Sequence, residues 1–97
     1  MIYTINALHQ WRDDDGADLD RTFGYYRDLD EARRAVENNA CDINEAGWYP
    51  CVVIESVGEG IHPIIEKLHF YKWEDMKYNE CEPFEGTENF MTYGNIG

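Results

Sequence analysis

The run Trp48-Tyr49-Pro50-Cys51-Val52-Val53-Ile54-Glu55 constrains the fold of this chain more than any other stretch. It is the most hydrophobic segment, and its β-branched content marks it as a strand in the middle of a sheet. Gly58-Glu59-Gly60 breaks it. A chain of 97 residues has material for one modest core, so the rest of the sequence is expected to form around this strand as a single domain, 1–97.

The flanking segments supply the rest of a sheet. Residues 2–8 alternate, with Tyr3, Ile5 and Ala7 on one side and Thr4 and Asn6 on the other. The stretch WRDDDGADLD, residues 11–20, has no apolar period and reads as a solvated loop. Strand character resumes over 21–27, where strict alternation puts Phe23 and Tyr25 on one face with Arg21 and Arg27, and Thr22, Gly24 and Tyr26 on the other. Asp28-Leu29-Asp30-Glu31 has capping-box spacing, with Glu31 placed to reach back to the cap. A helix should come next, with an apolar stripe of Leu29, Ala32, Val36, Ala40 and Ile43, i,i+4 pairs Asp30–Arg34 and Arg33–Glu37, and ends at Asn38-Asn39 or Gly47. Residues 63–73 read as a further strand, 74–77 as a turn, and the surroundings of Tyr78 as a short edge strand. Pro83 and Gly86 interrupt the chain beyond that strand, and residues 90–97 either add a last strand or fold over the sheet.

The order β-β-α-β-β with a β-rich tail predicts an α+β domain, a small mostly antiparallel sheet with one helix packed on one face. The opposite face is then open to the tail, to a partner or to water, and function is expected there.

Charge narrows the partners. The formal net charge is -12, and it is unevenly spread: segment 21–40 is neutral, while the segments before and after it are negative. Such a surface repels nucleic-acid backbones and attracts basic protein faces, so direct DNA or RNA binding is not expected. No apolar stretch approaches bilayer length, and Met1 to Asn6 lack the basic-then-apolar order of an export signal, which points to a soluble cytoplasmic protein. Cys41, Cys51 and Cys81 are odd in number and show no CxxC pair, as expected of reduced thiols without a disulfide framework.

The segment RTFGYYRDLDEARRAVENNACDINEAGWYPCVVIESVGEGIHP, with FYKW at 70–73 and the terminal GNIG, resembles a family of small acidic proteins carried by bacteriophages and their Gram-positive hosts. In that family a strand leads into a helix, then an Asn-x-x-Asp-Ile-x-Glu turn, a Tyr-x-x-Val-Ile-Glu strand, an aromatic strand and a final Ile-Gly. The matching positions here are Phe23 to Tyr26, Asn39 to Glu45, Tyr49 to Glu55, Phe70 to Trp73 and Ile96-Gly97. The resemblance implies no activity; it implies a mobile-element setting and a role against host defence.

Catalytic and metal chemistry find little support. An EF-hand loop with Gly16 at its sixth position would begin at Trp11 and end at Thr22, so its first and last ligands are wrong. His9, His62 and His69 have no metal-ligand spacing, and GEGI at 58–61 lacks the lysine and helix of a phosphate loop. Cys51 sits in the apolar run, where a thiol is inert. Glu55, a carboxylate on that same run, is the best candidate for acid–base work. No cofactor, no metal and no enzymatic activity are expected.

Two binding modes remain. In the first, Asp13, Asp14, Asp15, Asp18 and Asp20, together with Glu74, Asp75, Glu80, Glu82 and Glu85, present carboxylates to a basic host protein such as a defence nuclease, imitating a nucleic acid. In the second, Arg21, Tyr25, Arg27, Glu55, Tyr71, Lys72 and Trp73 form a pocket that stacks and sequesters a small nucleotide signal. For Arg21 and Arg27 the competing reading is structural: a strand end with exposed ion pairs worth about 0–1 kcal/mol.

Overall fold

The computed structural model describes residues 1–12, 16–18, 21–61 and 63–83; for 10–12 and 16–18 it describes the strand backbone alone. Among the described residues, seven strands and one α-helix run in the order β1 (Ile2–Leu8), β2 (Gln10–Arg12), β3 (Gly16–Asp18), β4 (Arg21–Tyr26), α1 (Leu29–Glu37), β5 (Cys51–Val57), β6 (Ile65–Glu74) and β7 (Lys77–Cys81). Five strands form one antiparallel sheet in the order β4-β1-β5-β6-β7, and β2 pairs with β3 in a separate hairpin. The sheet with its one helix is the expected α+β architecture, dominated by strands.

The apolar run takes the middle of the sheet as β5. Val52, Val53 and Ile54 are fully buried, and each such side chain contributes about 1.5–3 kcal/mol of transfer free energy. Val52 and Ile54 face α1 with Ile5, Ala7 and Tyr71, whereas Val53 joins Leu8 and Phe70 on the opposite face. β4 and β5 are both antiparallel to β1, which lies between them, so α1 links two parallel strands across an intervening third.

The helix is short and closely packed. Asp30 and Glu31 in its first turn and Arg34 in its last suit the helix dipole. Ala32, Ala35 and Val36 are the buried positions, and the two alanines bring the helix near the sheet. The Asp28 side chain makes no cap hydrogen bond; its carbonyl accepts from the Ala32 amide at 3.2 Å, so the expected capping box is replaced by a backbone start alone. The helix ends at Asn38 because Asn39 turns left-handed, with φ 49°. Ala40 and Ile43, expected on the helical stripe, reach the core from the loop after the helix.

Two bulges overturn simple alternation. In β4 the register slips at Phe23, so that Ile5 faces Gly24 while Asn6 faces Thr22. Phe23 therefore packs on the helix side, edge-on to Tyr49 at 5.5 Å, while Tyr25 points to the other face, correcting the expectation that the two share one. In β6 the slip skips Leu68, which brings Lys67 opposite Glu55. The stretch expected as a loop also holds the pairs Gln10–Asp18, Trp11–Ala17 and Arg12–Gly16. The expectations for residues 84–97 lie outside the described residues.

The β6–β7 hairpin turns on Asp75 and Met76, with φ of 54° and 64°. Two positive φ values in a two-residue loop are the signature of a type I′ turn, which favours Asn-Gly. Met76 is 84% exposed and gains little packing there. Met76→Gly should therefore raise stability by about 0.5–1 kcal/mol, net of the flexibility glycine adds to the unfolded chain. Urea unfolding checks this; a loss of stability would contradict the turn geometry.

Candidate functional site

The sheet has two distinct faces. On the face away from α1, cross-strand neighbours form a row Tyr25, Thr4, Glu55 and Lys67. Glu55 is fully buried, with Lys67 Nζ 3.5 Å from its Oε2. A buried carboxylate needs such a cation, because desolvation otherwise disfavours its charge. Beside the row, Asn6 is fully buried; its Nδ2 donates to the carbonyl of Val53 at 3.2 Å and to Thr4 Oγ1 at 3.0 Å. Thr22 Oγ1 donates to Asn6 Oδ1 at 2.7 Å. This polar seam joins side chains of β1 and β4 to a backbone carbonyl of β5 and so ties the register of the three strands.

On the helix face, α1 is tied to the edge strand by charge. Arg33 Nη2 lies 2.7 Å from Glu80 Oε1, and His69 Nδ1 lies 2.8 Å from Glu80 Oε2. Since a carboxylate only accepts, Nδ1 carries the hydrogen. Arg33 Nε also donates to the Tyr71 hydroxyl at 3.3 Å. The hydrogen bond from His69, with the adjoining charge of His69 and Arg33, holds the Glu80 carboxyl below its ordinary range, and burial pushes the Tyr71 hydroxyl up.

A third arrangement sits at the end of the sheet where β1 finishes and β5 begins. The loop between α1 and β5 has positive φ at Asn39, Cys41, Asp42, Glu45, Ala46 and Gly47. Left-handed backbone costs a non-glycine residue about 1–2 kcal/mol, so the surroundings must hold it. They do so through asparagine. Asn39 Oδ1 accepts from the Asn44 amide at 2.9 Å, Asn44 Oδ1 accepts from the Gly47 amide at 2.7 Å, and Asn44 Nδ2 donates to the Tyr49 carbonyl at 3.1 Å. The buried Tyr78 hydroxyl donates to the same carbonyl, and burial pushes its pKa well above the usual tyrosine range. Between this loop and the β6–β7 turn lies a cleft of about 480 Å³ lined by Asn39, Asp42, Asn44, Gly47, Trp73 and Met76.

The residues expected to act are scattered over the molecule. Glu74, Asp75 and Glu82 are exposed, and Glu80 is exposed but engaged by Arg33 and His69. Asp18 lies in β3, where only backbone is described; Asp13, Asp14, Asp15, Asp20 and Glu85 lie outside the described residues. The residues assigned to a nucleotide pocket do not converge. Tyr25, Glu55 and Lys72 belong to the face away from α1, while Arg21, Tyr71 and Trp73 belong to the helix face. Tyr71 is fully buried, so its ring offers no stacking surface. Arg21 lies 4.4 Å over the Phe23 ring and 3.7 Å from Glu45 Oε2, which is the structural role of a strand end. Arg27 is exposed at the opposite end of the sheet, against Met1 and Val57 to Gly60. The bulge at Phe23 separates Tyr25 from Arg21, while ordinary alternation along β6 puts Lys72 on the face opposite Tyr71 and Trp73.

Burial pushes both the Cys51 and Cys81 thiols up, away from nucleophilic reactivity. Among the described residues no group of His, Cys, Asp or Glu is arranged to hold a metal ion, and no helix is long and apolar enough to cross a membrane. Sequence reasoning missed the asparagine-held loop, although Asn38-Asn39, Asn44 and Gly47 signal it, since Asn tolerates left-handed backbone better than most residues. It also missed the Arg33–Glu80–His69 clamp, whose partners are far apart in the chain. No family of known proteins, no curated protein and no solved structure matches the chain.

The clamp gives a pH dependence. Because the folded-state value of Glu80 lies below the unfolded one, its stabilisation is fully present above the ordinary carboxylate pKa and fades as pH falls through the lowered value. Glu80→Gln should cost no more than about 1 kcal/mol near neutrality after solvent screening, with a gap from the parent protein that closes in acid. Paired unfolding curves across that range test it; a gap constant with pH would contradict the clamp.

Proposed function

We propose that this is a non-catalytic acidic binding protein that docks on the basic, nucleic-acid-handling surface of a host defence protein, in the cytoplasm of a bacterium carrying the mobile element that encodes it. One observation carries the reading: the chain ties several of its few cations to carboxylates of its own and leaves most of its carboxylates outside. Among residues with described side chains, Glu55 is the buried carboxylate, while the others, from Asp28 to Glu82, are all exposed. Of the cations, Arg21, Arg33 and Lys67 are half-buried, and each lies against a carboxylate of the chain itself. What remains outside is a surplus of anionic groups, with the formal net charge of -12 behind it.

A surface of that kind offers a basic groove what the phosphates of a duplex offer it, fixed anionic groups at high density. Glu74, Asp75 and Glu82 are the described members of the docking set; Asp13, Asp14, Asp15, Asp18, Asp20 and Glu85 complete it in sequence. The resemblance to phage-borne proteins supplies the setting. The nucleotide-sequestering alternative has no convergent pocket behind it.

Displacement of a short fluorescein-labelled duplex from a panel of purified host nucleases with basic clefts, followed by anisotropy, tests the proposal. The protein should release the duplex from at least one of them. Glu74→Lys combined with Asp75→Lys should weaken that competition by about tenfold, since like charges then face each other. Release from none would overturn the docking role.

A further inference from the structure

The cleft between the asparagine-held loop and the β6–β7 turn has a chemistry that the surface charge alone does not explain. We infer that it receives an arginine side chain of the docked partner, with the Trp73 ring as its wall and the Asp42 carboxylate as its counter-ion. The inference rests on the docking role proposed above and specifies the contact that anchors it.

Hydrogen-bond supply in the cleft leans one way. The loop spends much of its donor supply on itself: the amides of Asp42, Asn44, Glu45, Gly47, Trp48 and Tyr49 bond to acceptors within residues 39–49. The Asn44 side chain is used at both ends, its oxygen by Gly47 and its nitrogen by Tyr49. The carboxylate of Asp42, an exposed residue, is the charged acceptor of the lining; its Oδ1 accepts from Asn39 Nδ2 at a long 3.4 Å, which orients it and leaves lone pairs for a further donor. A phosphate needs donors from its site. A guanidinium is the reverse, five donors in a planar fork and no acceptor, and it stacks on aromatic rings.

The walls fit the same occupant. Trp73 is half-buried, held edge-on against Tyr78 with ring centroids 4.9 Å apart, and it lines the cleft together with Met76, which is 84% exposed. An indole face favours a cation, and the methionine suits the aliphatic stem of a long side chain. The volume of about 480 Å³ admits an arginine side chain without a change in the backbone. The local charge agrees. The two segments that form the cleft carry Asp42, Glu45, Glu74 and Asp75 against Lys77, with Glu45 engaged by Arg21.

The strained backbone is then accounted for. Asp42 has φ 55° and its neighbour Cys41 has φ 53°, a conformation bracketed by the Asn39 side chain, which accepts from the Asn44 amide and donates to Asp42 Oδ1. Strain kept at a ligand site is a mark of pre-organisation, because an acid held in position before binding loses less freedom on binding.

The test uses the intact chain, labelled with 15N, and Nα-acetyl-arginine methylamide as the probe, with the corresponding lysine and citrulline compounds alongside. The Trp73 indole resonance and the backbone resonances of Asp42, Asn44 and Gly47 should move with the arginine compound. They should move at least about threefold less with lysine, whose ammonium cannot stack or bond as a fork, and stay in place with neutral citrulline. Asp42→Asn keeps the side-chain shape and the tolerance for left-handed backbone, so the fold persists, and it should abolish the response; Trp73→Leu should do the same. Unmoved resonances, equal shifts from lysine or citrulline, or a response that survives Asp42→Asn would each overturn the inference. The titration contains no nuclease, so its failure leaves the docking role standing, whereas a failed duplex displacement removes the docking role whatever the cleft binds.

Discussion

Burial of β5 on both faces is the constraint on which the rest of this structure depends. A strand in the middle of a five-stranded sheet, with Val52 and Ile54 toward the helix and Val53 away from it, leaves no wet side for a charged residue. Glu55 is nonetheless there, fully buried. Its presence draws in Lys67, which the β6 bulge places opposite, and Thr4 and Asn6 of β1 carry the polar seam onward to Thr22 of β4. The same economy governs the helix face, where Arg33 is drawn to Glu80 at the edge strand. Each such pair removes one charge of each sign, so with eight lysines and arginines against twenty acidic residues the exterior keeps the whole anionic surplus.

The central strand also fixes the loop before it. Pro50 accepts from the Trp73 amide at 2.8 Å, and Tyr49 is held from one side by Asn44 and from the other by Tyr78. These bonds give a left-handed run of residues its fixed shape beside the β6–β7 turn. A backbone held in this way, with the Asp42 carboxylate exposed on it, is suited to receiving a cationic side chain.

The elements were legible because their signals are local. A β-branched apolar run, an alternating 2–8 segment and acidic residues ahead of an alanine-rich stripe each act within a few residues, and β5, β1 and α1 appear where those signals lie. Side-chain direction was less legible. One inserted residue at Phe23 reverses the face of everything after it in the strand, and nothing in RTFGYYR announces the bulge. The residues grouped as a ligand pocket do not share one open face: Tyr25 lies on the face away from α1, and Tyr71 is buried on the helix face. Partners such as Arg33 and Glu80, or Tyr49 and Tyr78, are set by topology and have no sequence signature. Asn39, Asn44 and Gly47 did carry one, in their tolerance of positive φ, and it marks the hydrogen-bonded loop between α1 and β5.

Function on this reading comes from exposed charge positioned by a rigid frame, and its physical signature is ionic. The most direct measurement is the dissociation constant of the complex with a displaced host nuclease over a salt series. Attraction between an anionic surface and a basic groove predicts at least about a tenfold loss of affinity between roughly 50 and 500 mM salt, carried mainly by slower association. An affinity that holds constant over that range would contradict docking through charge.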